Sequence, residues 1–408
     1  MKTGLVTAAV ALLAGSLYTQ RNRLFALVAY IVAVELPRQY VVRLLRWTRL
    51  DGLMGAQRVN HNESSLDAIS AAVIAATHAA TSARCKDTRE MRDIASGMCS
   101  VDAAVARVHG AIISPYSFLS ASPHLSVNGV WIAQSQVDIP ASSGACHSDL
   151  VVLLYVHVFS GGGFVLNTAE AWALHHFLLV QAFNNLQISK KSPKRLAIFS
   201  LEYPLAPESP YPSALNSALH AFEWLSTVVK AQSILVGGDS AGGHCVIQLL
   251  NKIASDARLS ALPVQPTASI LYSPWVDPFC TVILDETMDV FDISSDEFTL
   301  SLAHAMRGEC TPESPEMNLL LLEPSKIVVA PKGTLVVYGG AERLACAIER
   351  FVGMVRSANP DYKLQVLCEP YMCHTYNLML TSYPGMGKDR SMAAVDKATQ
   401  FIHEAVVE

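Results

Sequence analysis

Few residues in this chain are placed to do chemistry, and one group stands out. Gly238-Asp239-Ser240-Ala241-Gly242 lies between the apolar run SILV and the segment AGGHCVIQLL, so a G-x-S-x-G sits on a strand-to-helix turn. A serine at such a turn is held on a strained bend with its hydroxyl presented at a helix N-terminus. Only small neighbours allow that packing, and Gly238, Gly242 and Gly243 provide the room. The competing reading is a phosphate cradle, but neither G-K-[ST] nor G-x-G-x-x-G is present. Ser240 is therefore the candidate nucleophile. A hydroxyl attacks poorly without a base, and the base needs a carboxylate to hold its tautomer. His374 follows the apolar run YKLQVLCEPY and is the candidate base; Glu342 follows GTLVVYGG and is the candidate acid. Asp277, Asp361 and Glu369 are rival carboxylates. His175, His176, His220 and His244 fall in helical patterns and read as packing or solvent residues, and His78 as a surface histidine.

These groups need a scaffold that brings distant loops together. From about residue 127, strand and helix patterns alternate, which predicts an α/β fold with a mostly parallel sheet covered on both faces. VNGVWIAQ, DLVVLLYVHVF, KRLAIFSLEY, QSILVGG, TASILYSPW, GTLVVYGG and YKLQVLCEPY are the strand candidates. TAEAWALHHFLLVQAF, PSALNSALHAFEWLSTVV, AGGHCVIQLLNKIA and RLACAIERFVGMVRSA are the helices between them. Residues 276–332 break the rhythm with acidic clusters and a helix at SDEFTLSLAHAMRG. They read as a cap inserted over the C-terminal edge of the sheet, where α/β proteins keep their ligands. The expected organisation is a hydrophobic leader over 1–50, an N-terminal helical cap region over 51–125, and a catalytic domain over 126–408.

With those residues in view, the chain resembles the hormone-sensitive-lipase-like branch of the α/β-hydrolases. GDSAGG (238–243) is similar to its nucleophile elbow, and EYPLAPESPYPSAL (202–215) to its Y-R-L-A-P-E segment. YGGAE and the tail at His374 look like its acid and histidine positions, and the resemblance runs over about 125–405. Within the branch, the leader and the glutamate acid look most like fungal sterol-acetate deacetylases and secondary-metabolite hydrolases. The resemblance implies ester hydrolysis through an acyl-enzyme, with no cofactor and no metal. It also implies an oxyanion hole from the N–H groups of Ala241, Gly162 and Gly163. One stretch departs from the pattern: the family runs from a strand directly into H-G-G-G, whereas this chain reads LLYVH, then Val158-Phe159-Ser160, then GGGF. Either Ser160 replaces the family histidine on a longer strand, or His157 is that histidine and three residues are inserted.

Composition narrows the partners. Of 408 residues, 51% are hydrophobic and only 16% charged, and the net charge is -5. A nucleic-acid partner is excluded on that balance, because binding a phosphate backbone takes a basic face. Nine scattered cysteines without C-x-x-C spacing disfavour a zinc site and a disulfide framework. The apolar runs Gly4 to Tyr18 and Leu24 to Val34 are each shorter than the ~20 residues of a comfortable span. Flanked by arginines, they favour membrane attachment, at the endoplasmic reticulum, over a cleaved signal or soluble cap helices. The expected partner is a small hydrophobic ester. Two other functions share these residues: a ligand-binding pseudoenzyme, and an acyltransferase, lactonase or cyclase.

Overall fold

The computed structural model describes residues 88–118, 126–140, 149–157, 162–166, 168–281, 292–293, 296–382 and 386–407. Both apolar runs of the leader, and Val158-Phe159-Ser160, lie outside these. Eight strands form one sheet: β1 (Ile112–Phe118), β2 (Val127–Ala133), β3 (Leu150–Val156), β4 (Arg195–Glu202), β5 (Ser233–Asp239), β6 (Pro266–Tyr272), β7 (Thr334–Gly339) and β8 (Leu364–Glu369). Their spatial order is β1-β2-β4-β3-β5-β6-β7-β8. The β1–β2 and β2–β4 pairs are antiparallel, and every other pair is parallel.

Strand β3 explains why the centre of the sheet reads as a continuous apolar run. Successive side chains point to opposite faces: Val152, Leu154 and Val156 enter one core, and Val151, Leu153 and Tyr155 the other. Both faces must then be covered. On one side lie α3 (Ser213–Trp224), α4 (Ala241–Ser255) and α6 (Ala345–Ala358), packed around Trp131, Phe199, Trp224 and Phe351. On the other lie α1 (Thr88–Val108), α2 (Ala173–Ser189) and α7 (Met386–Val407), around Phe177, Phe183 and Phe401. Helix α5 (Asp296–Met306) lies between β6 and β7, within residues 276–332.

Three expectations need correction. The 51–125 region is not wholly a helical cap: its described part holds α1, whose Cys99, Ala103 and Ala106 enter the second core, and β1, which belongs to the main sheet. Pro115 in β1 conceals the strand in the sequence, and an edge position is where a sheet tolerates proline. Strand β3 stops at Val156, paired with Gly238, and His157 already lies beyond it; Val158 and Phe159 of the predicted strand lie outside the described residues. Finally, α7, a helix of 22 residues, follows the last sheet strand and lacks a counterpart among the predicted helices. Among the described residues, no helix is long and apolar enough to cross a membrane.

Candidate active site

The chain turns from β5 into α4 at Ser240, whose φ of 53° and ψ of -121° lie outside the favoured regions for a residue with a side chain. Such strain costs about 1–3 kcal/mol and persists only where the surroundings enforce it. Here they do. Ser240 N–H donates to Tyr272 O at 2.9 Å, and Ser240 O accepts from Trp275 N at 2.8 Å. A Cβ on Gly242 would stand 1.9 Å from Val156 O, and one on Gly238 would stand 2.5 Å from the Gly242 carbonyl carbon. Neither contact is sterically allowed, so both glycines are required for α4 to approach β3. Beneath the turn, fully buried Asp239 accepts from Tyr155 Oη at 3.0 Å and from Trp172 Nε1 at 3.2 Å.

Ser240 and His374 line the same cavity, together with Gly163, Trp275, Asp292, Thr299, Leu302, Arg343 and Leu344. Its volume is about 20 Å³. Space for one water takes roughly 10–15 Å³ on this measure, so the cavity is narrow.

His374 and Glu342 sit on the loops after β8 and β7 and are both buried. His374 Nδ1 lies 3.5 Å from Glu342 Oε1, at the long end of hydrogen bonding. The other oxygen of Glu342 accepts from Ser273 Oγ at 2.7 Å and from Gly339 N at 3.0 Å. Burial works against a charge on His374, but Glu342 first, then Asp292 and Asp239, outweigh it and raise its pKa above the ordinary 6.5. Since Nδ1 faces Glu342, Nε2 is the nitrogen left for a reacting group. Of the rival carboxylates, Asp277 accepts from Thr281 at 3.0 Å, Glu369 pairs with Arg390, and Asp361 is exposed at the surface.

The glycine loop meets this cavity through Gly163. Its φ of +48° suits glycine, and a Cβ there would stand 2.7 Å from Leu302 Cβ on α5. Gly162 lies one residue further back, and its carbonyl accepts from Val165 N at 2.7 Å and Leu166 N at 3.0 Å. Ala241 is the first residue of α4, where a helix leaves its N–H groups without intrahelical acceptors. His157 directly follows β3, where its reading as the family histidine requires it. It is buried and stacks on Tyr203, whose hydroxyl donates to His157 O at 2.5 Å.

From outside, α1 braces the loop. Arg92 Nε donates to Val165 O at 2.9 Å and Nη2 to Ala206 O at 2.6 Å, while the guanidinium pairs with Glu208 at 2.7 Å.

Two residues of the site went unnoticed in the sequence. Ser273 holds Glu342, and its hydroxyl also accepts from Thr375 N at 3.1 Å. Asp292 holds the backbone of His374. Neither belongs to a local motif, and their partners on the acid and base loops are 51 to 102 residues away. The buried histidines of α2 behave as packing groups, His175 having its pKa pushed down to about 4 by burial.

Residues 153–377 match the family described as alpha/beta hydrolase fold. Over 140 residues, 31% of this chain and 36% of the relative, it is 33% identical to "Probable carboxylesterase 6" of Arabidopsis thaliana. Over 148 residues, 35% of this chain and 39% of the relative, it is 29% identical to "Ethyl acetate hydrolase" of Pseudomonas putida. The chain thus spans little more than a third of the length of these two curated relatives. It also resembles a crystal structure of an esterase from the bacterial hormone-sensitive lipase family, at 23% identity and a TM-score of 0.61, covering 82% of this chain and 97% of that one. The family match spans the serine turn and strands β4 to β8, and the chain belongs to the α/β-hydrolase fold family, resembling its hormone-sensitive-lipase-like branch.

Proposed function

We propose that the protein is a serine carboxylesterase that uses Ser240, His374 and Glu342 to hydrolyse a short-acyl ester of a bulky hydrophobic alcohol. The observation that carries this reading is the cavity shared by Ser240 and His374, with Glu342 behind the imidazole. Ser240 Oγ attacks the acyl carbon as its proton passes to His374 Nε2. The N–H groups of Gly163 and Ala241, with Gly162 behind them, hold the tetrahedral oxyanion. Collapse breaks the carbon–oxygen bond to the alcohol, which leaves with the proton from His374. Water then attacks the acyl-enzyme, giving a proton to His374. The acid departs and Ser240 regains its hydrogen.

The narrow cavity between Trp275, Leu302 and Leu344 supports an acyl group no larger than a few carbons, with acetyl the leading candidate. Its apolar walls, and a chain that is 51% hydrophobic, support an apolar alcohol such as a sterol or a secondary metabolite. The runs within residues 1–50 support attachment to a membrane such as the endoplasmic reticulum, which vesicle flotation of the full chain tests. For the activity, purified protein is assayed on esters of increasing acyl length and on acetylated sterols, with Ser240→Ala beside it. Turnover is expected to fall as the acyl chain lengthens. Hydrolysis that persists in Ser240→Ala, or no phosphonate labelling of Ser240, overturns the reading in favour of a ligand-binding protein.

A further inference from the structure

One buried carboxylate contacts the acid and base loops without belonging to either. Asp292 lies in the 276–332 insertion, is only 8% exposed and lines the cavity with Ser240 and His374. Its Oδ1 accepts from His374 N at 3.0 Å and from Ile293 N at 2.8 Å. Its Oδ2 accepts from Arg343 N at 2.9 Å. Arg343 directly follows Glu342, so one side chain grips the base itself and the neighbour of the acid. Bonds from amide N–H groups to a carboxylate are charge-assisted and stronger than neutral ones. A second tie backs the first: the Arg343 guanidinium pairs with Asp296, in the first turn of α5.

This grip bears on the weakest join in the site, the 3.5 Å between His374 and Glu342. The two loops are joined through their backbones, Ala341 N donating to Met372 O at 3.0 Å and Gly340 N to Glu369 O at 2.9 Å, but neither bond reaches the imidazole or the carboxylate, so the fine spacing of the pair also depends on the side chains that grip both. Ser273 does so from the sheet side, through Glu342 Oε2 and Thr375 N. Asp292 does so from the cap side. We infer that Asp292 is a positioning residue for ester hydrolysis, fixing His374 and Glu342 at their working separation and making the inserted segment part of the acid–base machinery. The inference rests on the esterase reading for its kinetic consequence, and on geometry alone for its effect on His374.

Asp292 also contributes charge. The ionisable groups around His374 are Glu342 on the β7 loop, Asp292 from the insertion and Asp239 below the serine turn. Arg343 lines the same cavity, with Asp296 beside it on α5. Removing one anion from this set disfavours the imidazolium, so the acid limb of the rate profile is expected to move to lower pH.

The test compares full-length wild type with Asp292→Asn, Asp292→Ala and Asp292→Glu on a short-acyl nitrophenyl ester across pH 5–9, after thermal melting confirms folding. If Asp292→Ala does not fold, the near-isosteric Asp292→Asn carries the test. Asparagine keeps an oxygen for His374 N but turns an amide donor toward Arg343 N. The expected result is a fall in kcat of about 10- to 100-fold for Asp292→Asn, the scale of a sub-ångström to 1 Å misplacement. KM should stay within about twofold, the acid limb should move to lower pH, and Asp292→Glu should recover part of the loss. A folded Asp292→Asn with wild-type kcat and limb overturns the inference. A loss carried wholly by KM with an unmoved limb does so too, because it would mean that Asp292 only holds the cap. A second readout does not depend on turnover: the His374 ring proton followed by NMR in Ser240→Ala, assigned by difference from His374→Gln. Adding Asp292→Asn should lower the pH at which that ring titrates, and an unchanged titration overturns the inference even if no ester is hydrolysed.

Discussion

The serine side of the site and its histidine side draw on backbone and side chains in different measure. Ser240 is fixed by backbone: a strained residue between β5 and α4, with Gly238 and Gly242 where any Cβ would strike a carbonyl group. His374 and Glu342 sit on loops joined by Ala341 N to Met372 O at 3.0 Å, but the pair itself is held by side chains borrowed from elsewhere, Ser273 just past β6 and Asp292 from the stretch between β6 and β7. Steric exclusion allows one geometry, whereas hydrogen bonds allow a range. The nucleophile should therefore tolerate almost no change in its neighbours, and the acid–base pair should degrade by steps.

The largest expected effect is the loss of the nucleophile. Ser240→Ala should reduce kcat by roughly 10⁶-fold with little change in melting temperature, measured by burst and steady-state hydrolysis. Next comes Glu342→Gln, which keeps the shape but presents the wrong partner to Nδ1. A fall of about 10⁴-fold in kcat is expected, by analogy with other triads. Gly242→Ala separates the two sides most sharply, since it touches no reacting atom yet drives a methyl group against Val156 O. We expect it to cost about 3 kcal/mol or more in denaturant unfolding, while Gly353→Ala, on an open face of α6, gains about 0.5–1 kcal/mol. A Gly242→Ala protein as stable as wild type would mean that the serine side is not sterically fixed. Ser273→Ala tests the stepwise side: a loss of about tenfold in kcat is expected, from one hydrogen bond to a charged group.

The smallest effect concerns pH. In the proposed mechanism the neutral imidazole of His374 is the base, and its carboxylate neighbours raise its pKa, so kcat/KM should climb with pH along a limb centred above 6.5. The same shift adds to folding stability at low pH, fully below the unfolded histidine value, and that contribution disappears as pH rises through the folded value. A limb centred below 6.5 would show that burial of His374 outweighs its anions.

The same contrast governs what was legible from residues alone. Strands β3 to β8 and helices α3, α4 and α6 announce themselves by apolar periodicity, a local signal. Ser240 is as clear, because glycines must flank it within five residues. Glu342 and His374 were readable only as the charged residues beyond strand ends. Ser273 and Asp292 were not readable, because their contacts span 51 to 102 residues and nothing in DETMDVFDISSDE distinguishes Asp292 from its acidic neighbours. Strand β1 was hidden by Pro115 and its half-exposed edge, and α7 by an apolar stripe diluted with charged residues.

The strut from α1 to the glycine loop has a practical consequence for anyone shortening this chain to improve expression. Trimming the apolar N-terminal runs is the obvious step, and the resemblance of residues 125–405 to known hydrolases invites a start near 125. Such a cut removes Arg92, and with it the guanidinium that holds Val165 O, Ala206 O and Glu208 together. It also removes β1 and leaves β2 as a raw sheet edge open to association with other chains. A fragment that keeps both ties has to begin ahead of Arg92.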